Sequence, residues 1–126
     1  MKKARWTRLC AVADEELRTL FGALPEDMKR HLDDVALEYL PVPPPELVAE
    51  GEVEADTLGL FTGPALWEPS DADWISPTIS LYIENLDDFC EGDERAFRRE
   101  VRTTWLHEFG HYLGLEEDDL AARGLE

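Results

Sequence analysis

Apolar positions change period several times along the chain, and each change marks an element. Leu17, Leu20, Phe21 and Leu24 recur on one helical face, with Asp14-Glu15-Glu16 ahead of them as an N-cap and acidic first turn. Pro25 closes that helix and opens a second, short one through Met28 to Leu32. Residues 35–40 (Val-Ala-Leu-Glu-Tyr-Leu) fit a strand, halted by Pro41 and by Pro43-Pro44-Pro45. A helical turn over residues 46–50 precedes Gly51, and Leu58-Gly59-Leu60-Phe61 reads as a short strand closed by Gly63-Pro64. Residues 65–77 carry a loop signal in Pro69, Ser70, Asp71 and Asp73, interleaved with Trp67 and Trp74. Residues 78–83 alternate and are rich in β-formers, the clearest strand of the chain. Beyond the Gly92-Asp93 turn the pattern predicts a long helix over residues 94–113, stopped by Gly114. Helix, strands, then helix, without repeats, predicts an α+β domain in which a small mixed sheet packs against helices, among them a C-terminal one.

Length and composition narrow this picture. A chain of 126 residues suits a single domain over residues 1–126, and 44% hydrophobic residues with four Trp exclude general disorder. Twenty-nine acidic against twelve basic residues give a net charge of −17. Such a surface repels nucleic-acid phosphates, and it attracts divalent cations and basic peptide segments. Met1 to Arg8 is basic, but the apolar run after it, Leu9 to Ala13, is shorter than an export segment needs, and nothing approaches a membrane span. Cys10 and Cys90 stand in no CxxC spacing and read as reduced thiols, so a cytoplasmic protein is expected.

The candidate chemistry lies on the helix over residues 94–113. His107 and His111 stand four apart, stacked on one face, so both imidazoles can reach one ion. Glu108 lies about 100° round from His107, beside such an ion rather than opposite it. Two neutral imidazoles suit Zn²⁺, and a carboxylate next to zinc-coordinated water can take its proton. His107-Glu108-Phe109-Gly110-His111 is therefore the HExxH pattern on the helix it requires. Val101, Trp105, Phe109, Tyr112 and Leu113 form an apolar arc beside the histidines, which lets the helix pack while the pair stays accessible. A catalytic zinc takes three protein ligands. Too little chain follows His111 for a separate helix to bring a glutamate back, so the third ligand is expected just past Gly114 or upstream. Gly114 permits a tight reversal, and Glu117, three residues beyond it, can swing beneath the histidines. Asp118 is the nearest rival, and the alternative for both acids is a capped or solvated helical turn.

Leu24-Pro25-Glu26, Asp34-Val35, and residues 58–63, 77–82 and 100–115 follow one another in an order that resembles the minimal zincin-like metallopeptidases of bacteria. The resemblance runs from about Asp14 onward, and only its HExxH segment is specific alone. It implies a compact zincin domain with His107 and His111 as metal ligands, Glu108 as catalytic glutamate and an acidic third ligand at Glu117. One departure stands out. Members carry a Glu-Arg pair in the loop after the Leu-Gly strand, whereas Glu68 is followed here by Pro69.

The expected activity is zinc-dependent hydrolysis of a peptide bond, with Glu108 as general base and a peptide or protein as substrate. An extended substrate is expected beside an edge strand, for which residues 78–83 are the candidate. The short tail after the motif predicts an open cleft, of weak activity or completed by a protein partner. The alternative is a binding or regulatory module that keeps the fold without peptidase activity; intact Glu108 argues against it. A metal-dependent nuclease is disfavoured by the charge and by the lack of a third histidine after Gly114. His31 reads as a helix-end histidine; Tyr39, Tyr82 and Tyr112 as packed rings; Trp67 and Trp74 as loop anchors; Arg98, Arg99 and Arg102 as a solvated helix face.

Overall fold

In a computed structural model, residues 1–68 and 76–125 are described. Helix α1 (Lys3–Ala23) buries Leu9, Val12, Ala13, Leu17 and Leu20 along one face. It begins eleven residues before the expected start at Asp14, because the apolar face extends back to Leu9 and the basic N-terminus is docked. The Arg5 guanidinium grips both carboxylate oxygens of the buried Asp87, and Arg8 meets Glu94 at 2.8 Å. There follow α2 (Glu26–Lys29), a 3₁₀ turn (Leu32–Asp34), β1 (Ala36–Leu40), α3 (Pro45–Ala49), β2 (Gly59–Thr62) and β3 (Thr78–Tyr82). The chain then forms α4 (Ile83–Phe89), α5 (Glu94–Leu113) and α6 (Glu117–Ala122). Helices α4 and α6 are additions to the expected set.

The architecture is α+β, as expected, with a mixed three-stranded sheet in the order β1-β3-β2. β1 runs parallel to β3 and β2 antiparallel to it. Residues 78–82, expected at an edge, are instead the central strand, with Ile79 and Leu81 fully buried. The edge strand beside α5 is β2. Phe97, Val101, Trp105, Leu106 and Phe109 of α5 are buried in the core with α1 and the sheet. Trp105 stacks on Phe109 at 4.6 Å and tilts against Phe21 of α1 at the same distance. Burying each such side chain contributes about 1.5–3 kcal/mol. Arg98 and Arg102 are not merely solvated: they pair with Glu15 and Glu16 of α1. Half-buried at Arg98, Arg102 and Glu16 and exposed at Glu15, these pairs orient helices that burial already holds together. Cys10 and Cys90 are free thiols, and burial pushes both above the usual thiol range. Among the described residues, no helix is long and apolar enough to cross a membrane.

β2 approaches α5 closely because Gly59 has no side chain. A Cβ there would lie 2.6 Å from Thr104 Cγ2 of α5 and 3.1 Å from the Ser80 carbonyl oxygen. The first is a β-branched methyl locked on a helix and the second is backbone, so neither gives way cheaply. Gly59→Ala is expected to destabilise the fold by about 1–3 kcal/mol in urea denaturation. Adding Thr104→Ser, which removes the clashing methyl, should recover part of that loss. Strictly additive effects of the two substitutions would contradict the contact.

Candidate metal centre

Helix α5 is delimited at both ends by its own side chains and backbone. Asp93 caps its N-terminus by accepting from the Arg95 N–H. At the other end Gly114 adopts φ +77°, Leu115 N–H donates to Gly110 C=O at 2.8 Å, and Gly114 N–H donates to His111 C=O. This is a complete Schellman reversal, which sends the chain back under the histidines. Contrary to expectation, enough chain remains for a helix: α6 starts at Glu117 and is nucleated by a capping box between Glu116 and Asp119. Leu120 anchors it in the core, and Arg123 ties its end to Asp27 at 2.8 Å. Gly110 leaves room for this return, since a Cβ there would lie 3.2 Å from Leu115 C=O and 3.3 Å from Leu120.

His107 and His111 point outward from α5 with ring centroids 4.5 Å apart, and their side chains are 42% and 52% exposed. Glu108 between them is only 7% exposed. Its Oε1 accepts the Phe61 N–H of β2 at 2.9 Å and lies 3.4 Å from His111 Nδ1. Its Oε2 lies 3.9 Å from His107 Nε2. One donor atom from each of His107, Glu108 and His111 falls within 4.8 Å of the others, so the group could hold a metal ion. Glu117 stands on the other side of the His107 ring, 3.5 Å from Nδ1. Glu116, Glu117 and Asp118 all line the same groove as the histidines, a space of about 430 Å³ bounded also by Leu115 and Leu120, and of the three Glu116 is spent on the capping box. A second groove of about 360 Å³, between Glu108, His111 and residues 51–54, lies along β2.

The lesser candidates separate from this centre. His31 Nδ1 lies 2.8 Å from Asp34 Oδ2, which also accepts the Tyr112 hydroxyl at 2.9 Å. The bond from His31, and after it that from Tyr112, holds the Asp34 carboxyl below its usual range. Tyr112 is pushed up to about 12, first by burial and then by Asp34. Tyr39 gives its hydroxyl to Asp14, and burial is the main cause of its raised pKa; Tyr82 is buried in the sheet. Trp67 is no core anchor: it is 70% exposed, with its ring over Gly114, while Leu66 N–H bonds Tyr112 C=O at 2.8 Å. Glu68 Oε1 accepts the Ala65 N–H within its own turn. Pro69 and Trp74 lie outside the described residues. What sequence reasoning missed is the Phe61 amide, a backbone donor whose only trace is the strand glycine two residues before it.

A model of the zincin-like metallopeptidase family matches residues 32–125, from the 3₁₀ turn before β1 through α6. A search of curated proteins finds no match.

The Asp34 pair ties the segment before β1 to the last turn of α5, and its depressed carboxyl makes stability pH-dependent. Because the folded-state value is the lower one, the contribution is present above the unfolded value, about 3.9, and is lost as pH falls through the folded one. Asp34→Asn should therefore lower the denaturation midpoint at pH 7, with the gap to wild type closing as pH falls below about 3.9. A gap that stays constant down to pH 2 would contradict this.

Proposed function

The chain belongs to the zincin-like metallopeptidases, and from that premise we propose that it is a zinc-dependent peptidase with His107, His111 and Glu117 as metal ligands and Glu108 as general base. The observation that carries this reading is the placement of Glu108, which is buried and hydrogen-bonded between two solvent-facing imidazoles on one helix. The donor set suits zinc: two imidazoles and a carboxylate leave a fourth position open. Glu117 is preferred as the carboxylate because the Gly114 reversal brings its exposed side chain within 3.5 Å of the His107 ring, while Glu116 is committed to the cap of α6. It meets Nδ1, the nitrogen opposite the one that faces Glu108, so ligation requires it to swing round the ring. When bound, zinc supplies a Lewis acid for the scissile carbonyl and lowers the pKa of water to about 7.

The chain's own residues do the remaining work. Glu108 accepts the proton of the attacking water and returns it to the departing amine. The open edge of β2 offers main-chain groups to an extended peptide, which takes over the place first expected of residues 78–83. The charge of −17 supports a peptide or protein substrate over a nucleic acid. The grooves on both sides of the histidines are shallow and exposed, which supports an open cleft that a protein partner could complete.

One Zn²⁺ per chain is expected in isothermal titration, with binding lost in the His107→Ala, His111→Ala double variant. Glu117→Ala should weaken affinity more than Glu116→Ala or Asp118→Ala; equal small losses in all three would place the third ligand elsewhere. Glu108→Gln should keep zinc and fold but lower hydrolysis of a quenched peptide library by about 10²–10⁴-fold. If wild type and Glu108→Gln bind zinc equally and neither cleaves any peptide, the protein is a binding module of this fold.

A further inference from the structure

Along an antiparallel pair, residues alternate between those bonded to the neighbouring strand and those whose backbone groups face away. Tyr82 N–H donates to Leu58 C=O at 2.9 Å, and Gly59 stands opposite Leu81 and Phe61 opposite Ile79. Leu58 and Leu60 thus turn their backbone toward β3, while Gly59 and Phe61 turn theirs to the open edge. On that edge the Phe61 N–H is taken by a side chain, Glu108 Oε1 at 2.9 Å. The match is geometric. From Gly59 to Phe61 a strand advances about 6.6 Å, and from Thr104 to Glu108 a helix advances about 6 Å. With Gly59 seated on Thr104, Phe61 falls level with Glu108.

We propose that the backbone amide of Phe61 is a positioning group for Glu108, an inference that rests on the peptidase reading of the site. It pins Oε1 and leaves Oε2, the oxygen facing His107 Nε2, as the one that accepts and returns the proton. Without this bond a glutamate side chain is free about three torsions, and Glu108 stands close enough to both imidazoles to compete as a ligand. The amide holds it as a base beside the ion. The same bond withdraws a donor from the substrate-facing edge, so a peptide lying along β2 meets the Phe61 carbonyl but not its N–H.

The test is amide hydrogen exchange by NMR on the full chain, without metal, for wild type, Glu108→Gln and Glu108→Ala, with the Leu81 amide of the central strand as a reporter of the fold. The Phe61 amide should exchange at least about tenfold faster in Glu108→Ala than in wild type, and Glu108→Gln, which keeps an acceptor oxygen, should retain most of the protection. Equal Phe61 rates in wild type and Glu108→Ala, with Leu81 unchanged, overturn the proposal. A semisynthetic chain with the Leu60–Phe61 amide replaced by an ester removes the donor and weakens the Leu60 carbonyl as an acceptor toward β3, so the Leu81 amide is followed in it as the reporter of the sheet. It should lower kcat on the peptide library with KM and zinc affinity unchanged; an undiminished kcat also overturns the positioning role. If wild type cleaves no peptide while the exchange difference is present, the peptidase reading and the catalytic role fail together, and the hydrogen bond itself stands.

Discussion

The contact between Gly59 and Thr104 sets the distance between the edge strand and the helix below it, and the site is arranged around that distance. A side chain at residue 59 would lift β2 off α5. The Phe61 amide would then leave Glu108, and the edge would move away from the histidines. The antiparallel bonds from β2 to β3 transmit the constraint to the sheet, and β3 in turn is fixed by the buried Ile79 and Leu81. Packing in the core and chemistry at the surface are therefore coupled through one strand of four residues.

Helix α5 serves both sides of this arrangement. One face carries Phe97, Val101, Trp105 and Phe109 into the core, which removes the helix's freedom to rotate. The other carries His107 and His111 into solvent, and Glu108 occupies the boundary, buried yet hydrogen-bonded to backbone. A buried carboxylate needs such a partner. Beyond the helix, Gly114 reverses the chain and Gly110 admits the returning α6, which brings Glu117 against His107. Both glycines act by what they lack, a Cβ, at the two points where a second segment passes close to the helix that carries the histidines.

Much of this was legible in the amino-acid sequence, and the remainder divides by physical cause. The limits of α5 and the stacking of its histidines are local properties of helical spacing and of the Gly114 stop, and both appear as read. Alternation identified residues 78–83 as a strand, one residue too long because Ile83 already opens α4. It carries no information on neighbours, so the central position of residues 78–82 emerged only from pairing with residues 36–40 and 59–62. The early start of α1 was masked by its basic first turns, whose charges are matched by Asp87 and Glu94 more than eighty residues away. Helix α6 is so short that its capping box and the anchoring of Leu120 decide its existence, not its length. The Phe61 amide belongs to no side-chain pattern at all.

The central claim is that these residues hold zinc in an open three-ligand site next to Glu108. The most direct measurement is an anomalous difference map collected at the zinc absorption edge from crystals grown with the metal. It should show one strong peak per chain, bounded by His107, His111 and Glu117, with Glu108 adjacent and still bonded to Phe61. A peak that includes Glu108 as a ligand and leaves Glu117 in solvent, or no peak between the histidines, would contradict the account.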